Sequence, residues 1–209
     1  ARRRSFTGLR GYIIMAATFV SYQQDTADAG TEVDVTDAGL TDAEEGDMMF
    51  AFAYGLSNST HSWTPPSGWT SISSSDFNDS YLEAFYKRRT DSEPSDHTFT
   101  FGSTGDLAVL VLVYENDIDD SAYDDSNADS DTLVAPSLNT SVDDLTVMRI
   151  IYGDNADSVT ITEDAGTTSR ADAGTSYVAG KVSDEVIASA GASGTSTFVV
   201  TNGTLADTV

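Results

Sequence analysis

The sequence predicts an all-β fold, an antiparallel β-sandwich of jelly-roll-like type with little or no helix. Short runs rich in Val, Ile, Thr, Phe and Tyr are separated by clusters of Gly, Ser, Asn and Asp, the pattern of strands joined by turns. Three further runs are apolar on both faces, as strands are when layers cover both sides of a sheet. Roughly nine or ten such strands favour a sandwich. We assign residues 12–209 to this single domain and residues 1–11 to an extended basic N-terminal arm.

The strands are predicted in chain order from two kinds of pattern. Tyr12 to Ser21 is expected to begin the sheet as one strand. The three runs that are apolar on both faces, each extending from Asp to Tyr, are predicted to be the central strands, at 47–54, 106–114 and 144–152. Alternating runs, which present one apolar face, lie at 81–88, 98–101 and 197–200. In residues 177–188 the valine spacing fits a helix or a strand, and Gly180 favours the strand.

Charge indicates where the protein works. The 209 residues carry 34 Asp and Glu against 10 Lys and Arg, a net charge of −24. Such a surface repels itself in dilute buffer, but at about 1 M salt the Debye length is only about 3 Å and the repulsion is screened. We therefore expect a protein of concentrated brine. The charge also disfavours nucleic acid and anionic membranes as partners.

Cysteine is absent, which excludes disulfides and thiolate metal sites. No segment is predicted to span a membrane, since the longest apolar run, 107–114, is far shorter than the roughly 20 residues required.

The basic residues fall into two groups that we predict to dock on partners. Arginine makes bidentate contacts with carboxylates, which suits docking onto other acidic proteins. The two groups are Arg2, Arg3, Arg4 and Arg10 in the arm, and Lys87, Arg88 and Arg89 in a strand. A frayed tail is the alternative for the arm. A second alternative is an export signal, which the charged and apolar residues of this segment resemble. The favoured interpretation is a structural arm that the protein retains.

An acidic loop offers the best candidate for an ion site. Oxygen ligands alternate there as they do in calcium loops, at Asp125, Asn127, Asp129 and Asp131. The match is partial, because Ser130 stands where the EF-hand loop has Gly and Pro136 where it has Glu. A solvated acidic loop is the favoured interpretation, with Ca²⁺, Mg²⁺ or a monovalent cation as the alternative. No cofactor is predicted to be required.

Catalytic motifs are not recognisable, and we predict that the chain is not an enzyme. The only neutral-pH bases are His61 and His97, which are interpreted as polar loop or strand residues. Arg149 shares a strand face with apolar residues, so it is either paired in the interior or part of an interface.

Aromatic residues suggest a second kind of site. Trp63, Trp69 and Tyr123 are candidates for stacking on a sugar. The favoured interpretation of Pro65-Pro66-Ser67-Gly68-Trp69 is a structural corner, because proline ends strands and Gly68 permits a positive φ.

Four short segments in a fixed order resemble a known family. They are Gly46-Asp47-Met48-Met49-Phe50, Pro65-Pro66-Ser67-Gly68-Trp69, Phe85-Tyr86-Lys87-Arg88 and Glu93-Pro94-Ser95-Asp96-His97-Thr98-Phe99. Together they resemble a β-sandwich module of structural proteins in tailed phages and prophages, over about residues 30–200. The resemblance implies a role on the virion exterior, as capsid decoration, vertex turret or tail part, and carries no catalytic residues.

With the acidic charge, the resemblance leads us to expect a virion protein of a haloarchaeal virus. Such a protein would assemble as a homo-oligomer and with other virion proteins. An adhesin that binds a host-surface glycan or glycoprotein is the alternative.

Overall fold

The computed structural model describes residues 10–15, 17–57, 61–77, 80–115, 132–135, 137, 139–140, 143–154, 159–174 and 178–202. Within them the chain forms antiparallel strands and one 3-10 turn at Asp37–Gly39. The strands are β1 (Arg10–Met15), β2 (Thr18–Thr36), β3 (Met48–Leu56), β4 (Trp63–Thr64), β5 (Thr70–Phe77), β6 (Ser80–Arg88), β7 (Asp96–Glu115), β8 (Thr132–Ala135), β9 (Asn139–Thr140), β10 (Leu145–Asp154), β11 (Val159–Thr162), β12 (Thr168–Gly174), β13 (Val178–Ile187), β14 (Gly191–Ala192) and β15 (Ser196–Asn202). The prediction of an all-β, sandwich-like fold is confirmed.

Two large sheets face each other across an apolar core. The main sheet has the order β2-β7-β3-β6-β5, with β4 also beside β7, and the second sheet has the order β1-β10-β13-β12. Phe50 and Leu110 of the main sheet share a buried cluster, here called the inner cluster, with Met148 and Val182 of the second. Smaller sheets of β11-β15-β8 and β14-β9 complete the described structure.

The central strands are buried on both faces, as their continuous apolar sequences predict. Alternate residues of β3 and β7 enter the inner cluster. The residues between them, such as Met49 and Val111, enter a second cluster on the opposite face of the main sheet. We call this second set the outer cluster. On β10, Val147 and Ile151 point away from the inner cluster and are still fully buried.

A bend in the β2–β7 ribbon covers the outer face of the main sheet. The two strands pair from Thr18↔Glu115 to Ala27↔Leu107, shift register, and pair again from Glu32↔Thr100 to Thr36↔Asp96. Phe99, in the second stretch, lies 5.9 Å from Phe85 of β6, ring centroid to centroid. In the main sheet β3 separates β6 from β7. The second stretch of β7 must therefore cross over the sheet.

Glycine makes this bend possible. A Cβ on Gly105 would lie 2.4 Å from the Leu56 carbonyl oxygen, and one on Gly55 would lie 2.9 Å from the Phe101 ring. Both positions need the absence of a side chain, because backbone and ring approach too closely for one.

Two predicted strand assignments differ from the structure in the connection of the segments, and not only in their bounds. Residues 98–101 and 106–114, predicted as separate strands, belong to the single 20-residue strand β7. The predicted strand at 12–21 is instead divided between β1 in the second sheet and β2 in the main sheet. Alternation of side chains shows only which way each residue faces and cannot show that the chain changes sheets. β1 begins at Arg10, two residues before the predicted start of the sheet.

Candidate functional site

A cluster of charged side chains joins the end of β6 to the start of β7. Arg89 Nη1 and Nη2 donate to Asp37 Oδ1 and Oδ2, at 2.5 and 2.8 Å. Lys87 Nζ lies 2.5 Å from Glu93 Oε2, and His97 Nε2 lies 3.4 Å from Asp37 Oδ1. We call these five residues the polar corner. Acids and bases within it compensate each other's charge.

The pKa values in the polar corner reflect this pairing. The hydrogen bond from Arg89 holds the pKa of Asp37 below its ordinary value, against the effect of burial. Burial alone would raise the pKa of Glu93, but hydrogen bonds from Lys87 and Thr90 outweigh it and lower the value. Burial lowers the pKa of His97, despite its contact with Asp37. His97 is fully buried, so its neutral form is the one favoured.

The four segments that carry the family resemblance meet at this corner. The Arg89 backbone N–H donates to Asp47 O at 2.8 Å, and Gly46 N donates to Arg89 O at 3.0 Å. Gly68 has φ of +91° and lies against the Lys87 side chain. Trp69 packs edge-on against His97, 5.6 Å between ring centroids. These motifs therefore build one corner of the fold.

The strand cluster predicted to dock on a partner protein makes contacts within its own chain, and its docking stays a prediction. Lys87 and Arg89 are paired with carboxylates of their own chain. Arg88 is exposed, and its Nη1 donates to Gly46 O at 2.7 Å. Lys87 and Arg89 thus compensate the charge of the carboxylates in the polar corner.

Both tryptophan side chains are largely buried. Trp63 is 4% exposed and Trp69 is 8% exposed, and both belong to the outer cluster. Trp69 packs 5.3 Å from Phe99, and Trp63 packs 5.0 Å from Phe101, between ring centroids. This burial agrees with the structural-corner interpretation of Trp69, and the role of the two rings as ligand-facing aromatics stays a prediction.

The remaining predicted site residues lie mostly outside the described part of the chain. Arg10 pairs with Ile151 through its backbone in β1, and its side chain is not among those described. The others outside the described residues are Arg2, Arg3, Arg4, Tyr123, Asp125, Asn127, Asp129 and Asp131. Their roles stay predictions. Among the residues that are described, no three His, Asp or Glu side chains are grouped to hold a metal ion.

Arg149 is paired in the interior, which settles one of the alternatives left open by the sequence. It is 1% exposed and forms an ion pair with Glu185 of β13.

A second buried polar group was not predicted from the sequence. Tyr114 Oη donates to Asp184 Oδ2 at 2.9 Å, and Arg170 Nε donates to the same oxygen at 2.7 Å. Burial raises the pKa of Tyr114 well above its ordinary value.

One pocket opens on the outer side of the main sheet, at the ends of β4, β5 and β6. It has a volume of about 270 Å³, and its lining includes His61, Ser62, Trp63, Ser74, Tyr81 and Glu83. Phe101 lies behind it, with ring centroids of His61, Trp63 and Tyr81 between 5.0 and 5.8 Å away. The rings of Trp63 and Tyr81, backed by Phe101, thus form an aromatic wall.

Glu83 is the charged group of this pocket. Its Oε1 accepts a hydrogen bond from Ser71 Oγ at 3.1 Å, and its Oε2 accepts one from the Trp63 backbone N–H at 3.3 Å. Burial raises its pKa, although both hydrogen bonds oppose the shift. Sequence reasoning missed Glu83, since one Glu among 34 acidic residues has no distinguishing neighbours in the sequence.

Comparison of the chain with protein-family models, curated proteins and solved structures finds no match. In the described residues, no helix has the length and apolar character needed to cross a membrane.

Proposed function

We propose that the chain is a non-enzymatic structural protein of the virion exterior of a haloarchaeal virus. In this role it is a β-sandwich subunit that decorates the capsid, forms part of a vertex turret or belongs to the tail. It assembles with copies of itself and with other virion proteins. The basic arm, with Arg2, Arg3, Arg4 and Arg10, is the proposed anchor.

The convergence of the four motif segments on the polar corner carries this proposal. Residues of different motif segments contact one another there: Trp69 packs on His97, Lys87 pairs with Glu93, and Arg88 donates to Gly46 O. In a structural module, selection acts on the fold. Motifs that build a corner of the fold are therefore expected in such a module. The resemblance to phage structural modules and this structural use of its motifs support the same role.

The charge supports the proposed environment. A chain with a net charge of −24 is expected to stay soluble in brine through hydrated carboxylates, and to repel itself in dilute buffer. The acidic loop at 117–131 adds a proposed, non-essential binding site for Ca²⁺, Mg²⁺ or monovalent cations.

Assembly in high salt tests the proposal. The molar mass of the purified protein is measured by light scattering in about 3 M KCl, where charge repulsion is screened. A defined oligomer is expected, and a variant lacking residues 1–10 should lose it or fail to enter particles. Peptides of this chain should also occur in purified virions. A monomer at high salt, together with absence from virions, contradicts the proposed function.

A further inference from the structure

The pocket beside Glu83 has the features of a small binding site. Its lining includes the rings of Trp63 and Tyr81, which pack against Phe101, and the hydroxyl groups of Ser62 and Ser74. Binding sites typically combine such apolar walls with a few fixed polar groups. The volume of about 270 Å³ lies just under the roughly 300–1,000 Å³ of sites for drug-sized ligands. It suits a ligand the size of one sugar ring.

Glu83 is held ready to accept hydrogen bonds. Its carboxylate uses one acceptor position on each oxygen, for Ser71 and for the Trp63 backbone N–H. A carboxylate has about four such positions, so each oxygen keeps one. Among the described residues no basic side chain pairs with it, in contrast to Glu93 beside Lys87 and Glu185 beside Arg149. The half-buried carboxylate therefore retains unused hydrogen-bonding capacity where the pocket lies.

We propose that this pocket binds one neutral pyranose unit of a glycan, with Glu83 accepting hydrogen bonds from two of its hydroxyl groups. The apolar C–H face of the sugar packs on the aromatic wall formed by Tyr81 and its neighbours. The acidic surroundings disfavour a sugar acid or a phosphorylated sugar. Hydrogen bonding to a neutral ligand also survives the strong screening of concentrated salt, which weakens recognition by charge alone. This inference does not depend on the proposed virion role.

Saturation-transfer NMR in about 2–3 M KCl tests the inference under strong screening. The probes are the methyl glycosides of glucose, mannose, galactose and N-acetylglucosamine. At least one should receive saturation from the protein and bind weakly. Because hydrogen bonds to a charged acceptor are the stronger kind, Glu83→Gln should weaken binding by about tenfold or more. Binding should also weaken as acidification protonates Glu83.

Matched variants separate binding from folding. Glu115→Gln makes the same chemical change at an exposed position at the end of β7 and should bind as the wild type does. Ser74→Tyr fills the rim from an exposed position and should abolish binding while the thermal unfolding midpoint stays unchanged; it serves if Glu83→Gln does not fold.

Two results overturn the inference. The first is the absence of saturation transfer to all four glycosides, and the second is equal binding by Glu83→Gln and the wild type. Methylguanidinium is included as a cationic probe. If it binds through Glu83 while no sugar does, the pocket instead receives a basic side chain of another protein.

Discussion

Replacing Arg89 with Met is expected to destabilise the protein strongly, even in concentrated salt. The change removes two hydrogen bonds to Asp37, of 2.5 and 2.8 Å, and leaves that carboxylate beside the buried His97. The side chains of Arg89 and Asp37 are only 14% and 17% exposed. Breaking a fully buried pair costs about 3–5 kcal/mol, whereas an exposed pair is worth about 0.2–1 kcal/mol.

For this largely buried pair we expect a loss of about 2–4 kcal/mol. At roughly 2–4 °C per kcal/mol for a chain of this size, the thermal midpoint should fall by on the order of 10 °C. Urea unfolding in concentrated KCl measures the free energy of unfolding. Because the pair is shielded from solvent, salt should not remove the effect.

Arg88→Met is the matched control, since it removes an adjacent but exposed arginine. It should cost less than about 1 kcal/mol. Arg89→Lys keeps the charge and loses the two-pronged geometry, so an intermediate value is expected. If Arg89→Met and Arg88→Met had equal effects, the polar corner would not contribute as argued.

Three further predictions concern the bend, acid and salt. Gly105→Ala forces a Cβ against the Leu56 carbonyl and should cost about 1–3 kcal/mol in urea unfolding; an unchanged midpoint would show that the bend tolerates a side chain. Burial lowers the pKa of His97 and Arg89 lowers that of Asp37, so unfolding takes up protons in acid. In high salt, the free energy of unfolding should therefore decrease as the pH is lowered past 6.5, the ordinary pKa of His, and again as it is lowered past 3.8, the ordinary pKa of Asp. An increase on acidification would contradict this. Finally, the thermal midpoint should rise between about 0.1 and 3 M KCl, as screening of the −24 charge requires; equal midpoints would argue against a brine protein.

Local patterns were sufficient to predict the central strands. The apolar runs became β3, residues 106–114 of β7, and β10, because a strand that is apolar on both faces is buried on both faces. The ambiguous segment at 177–188 became a strand, as Gly180 indicated. The two faces of β6 followed from alternation, with Leu82 and Ala84 in the inner cluster.

Contacts between distant segments could not be predicted. Arg89 and Asp37 are 52 residues apart, and Tyr114 and Asp184 are 70 residues apart. Nothing in the basic run at 87–89 distinguishes a docking patch from an internal counter-ion cluster; only the fold brings Asp37 and Glu93 to it. Glu83 could not be predicted as a site residue for the same reason, because its pocket is formed by residues of three separate strands.

The bent β2–β7 ribbon also has consequences for how the chain folds. Its paired residues are separated by between 60 residues, at Thr36↔Asp96, and 97 residues, at Thr18↔Glu115. Pairings across such separations must close long loops first and are slow to form. Both tryptophans of the chain lie in the outer cluster that the second stretch of the ribbon covers. Their fluorescence should therefore report the late closure of that layer, after circular dichroism has recorded earlier strand formation elsewhere.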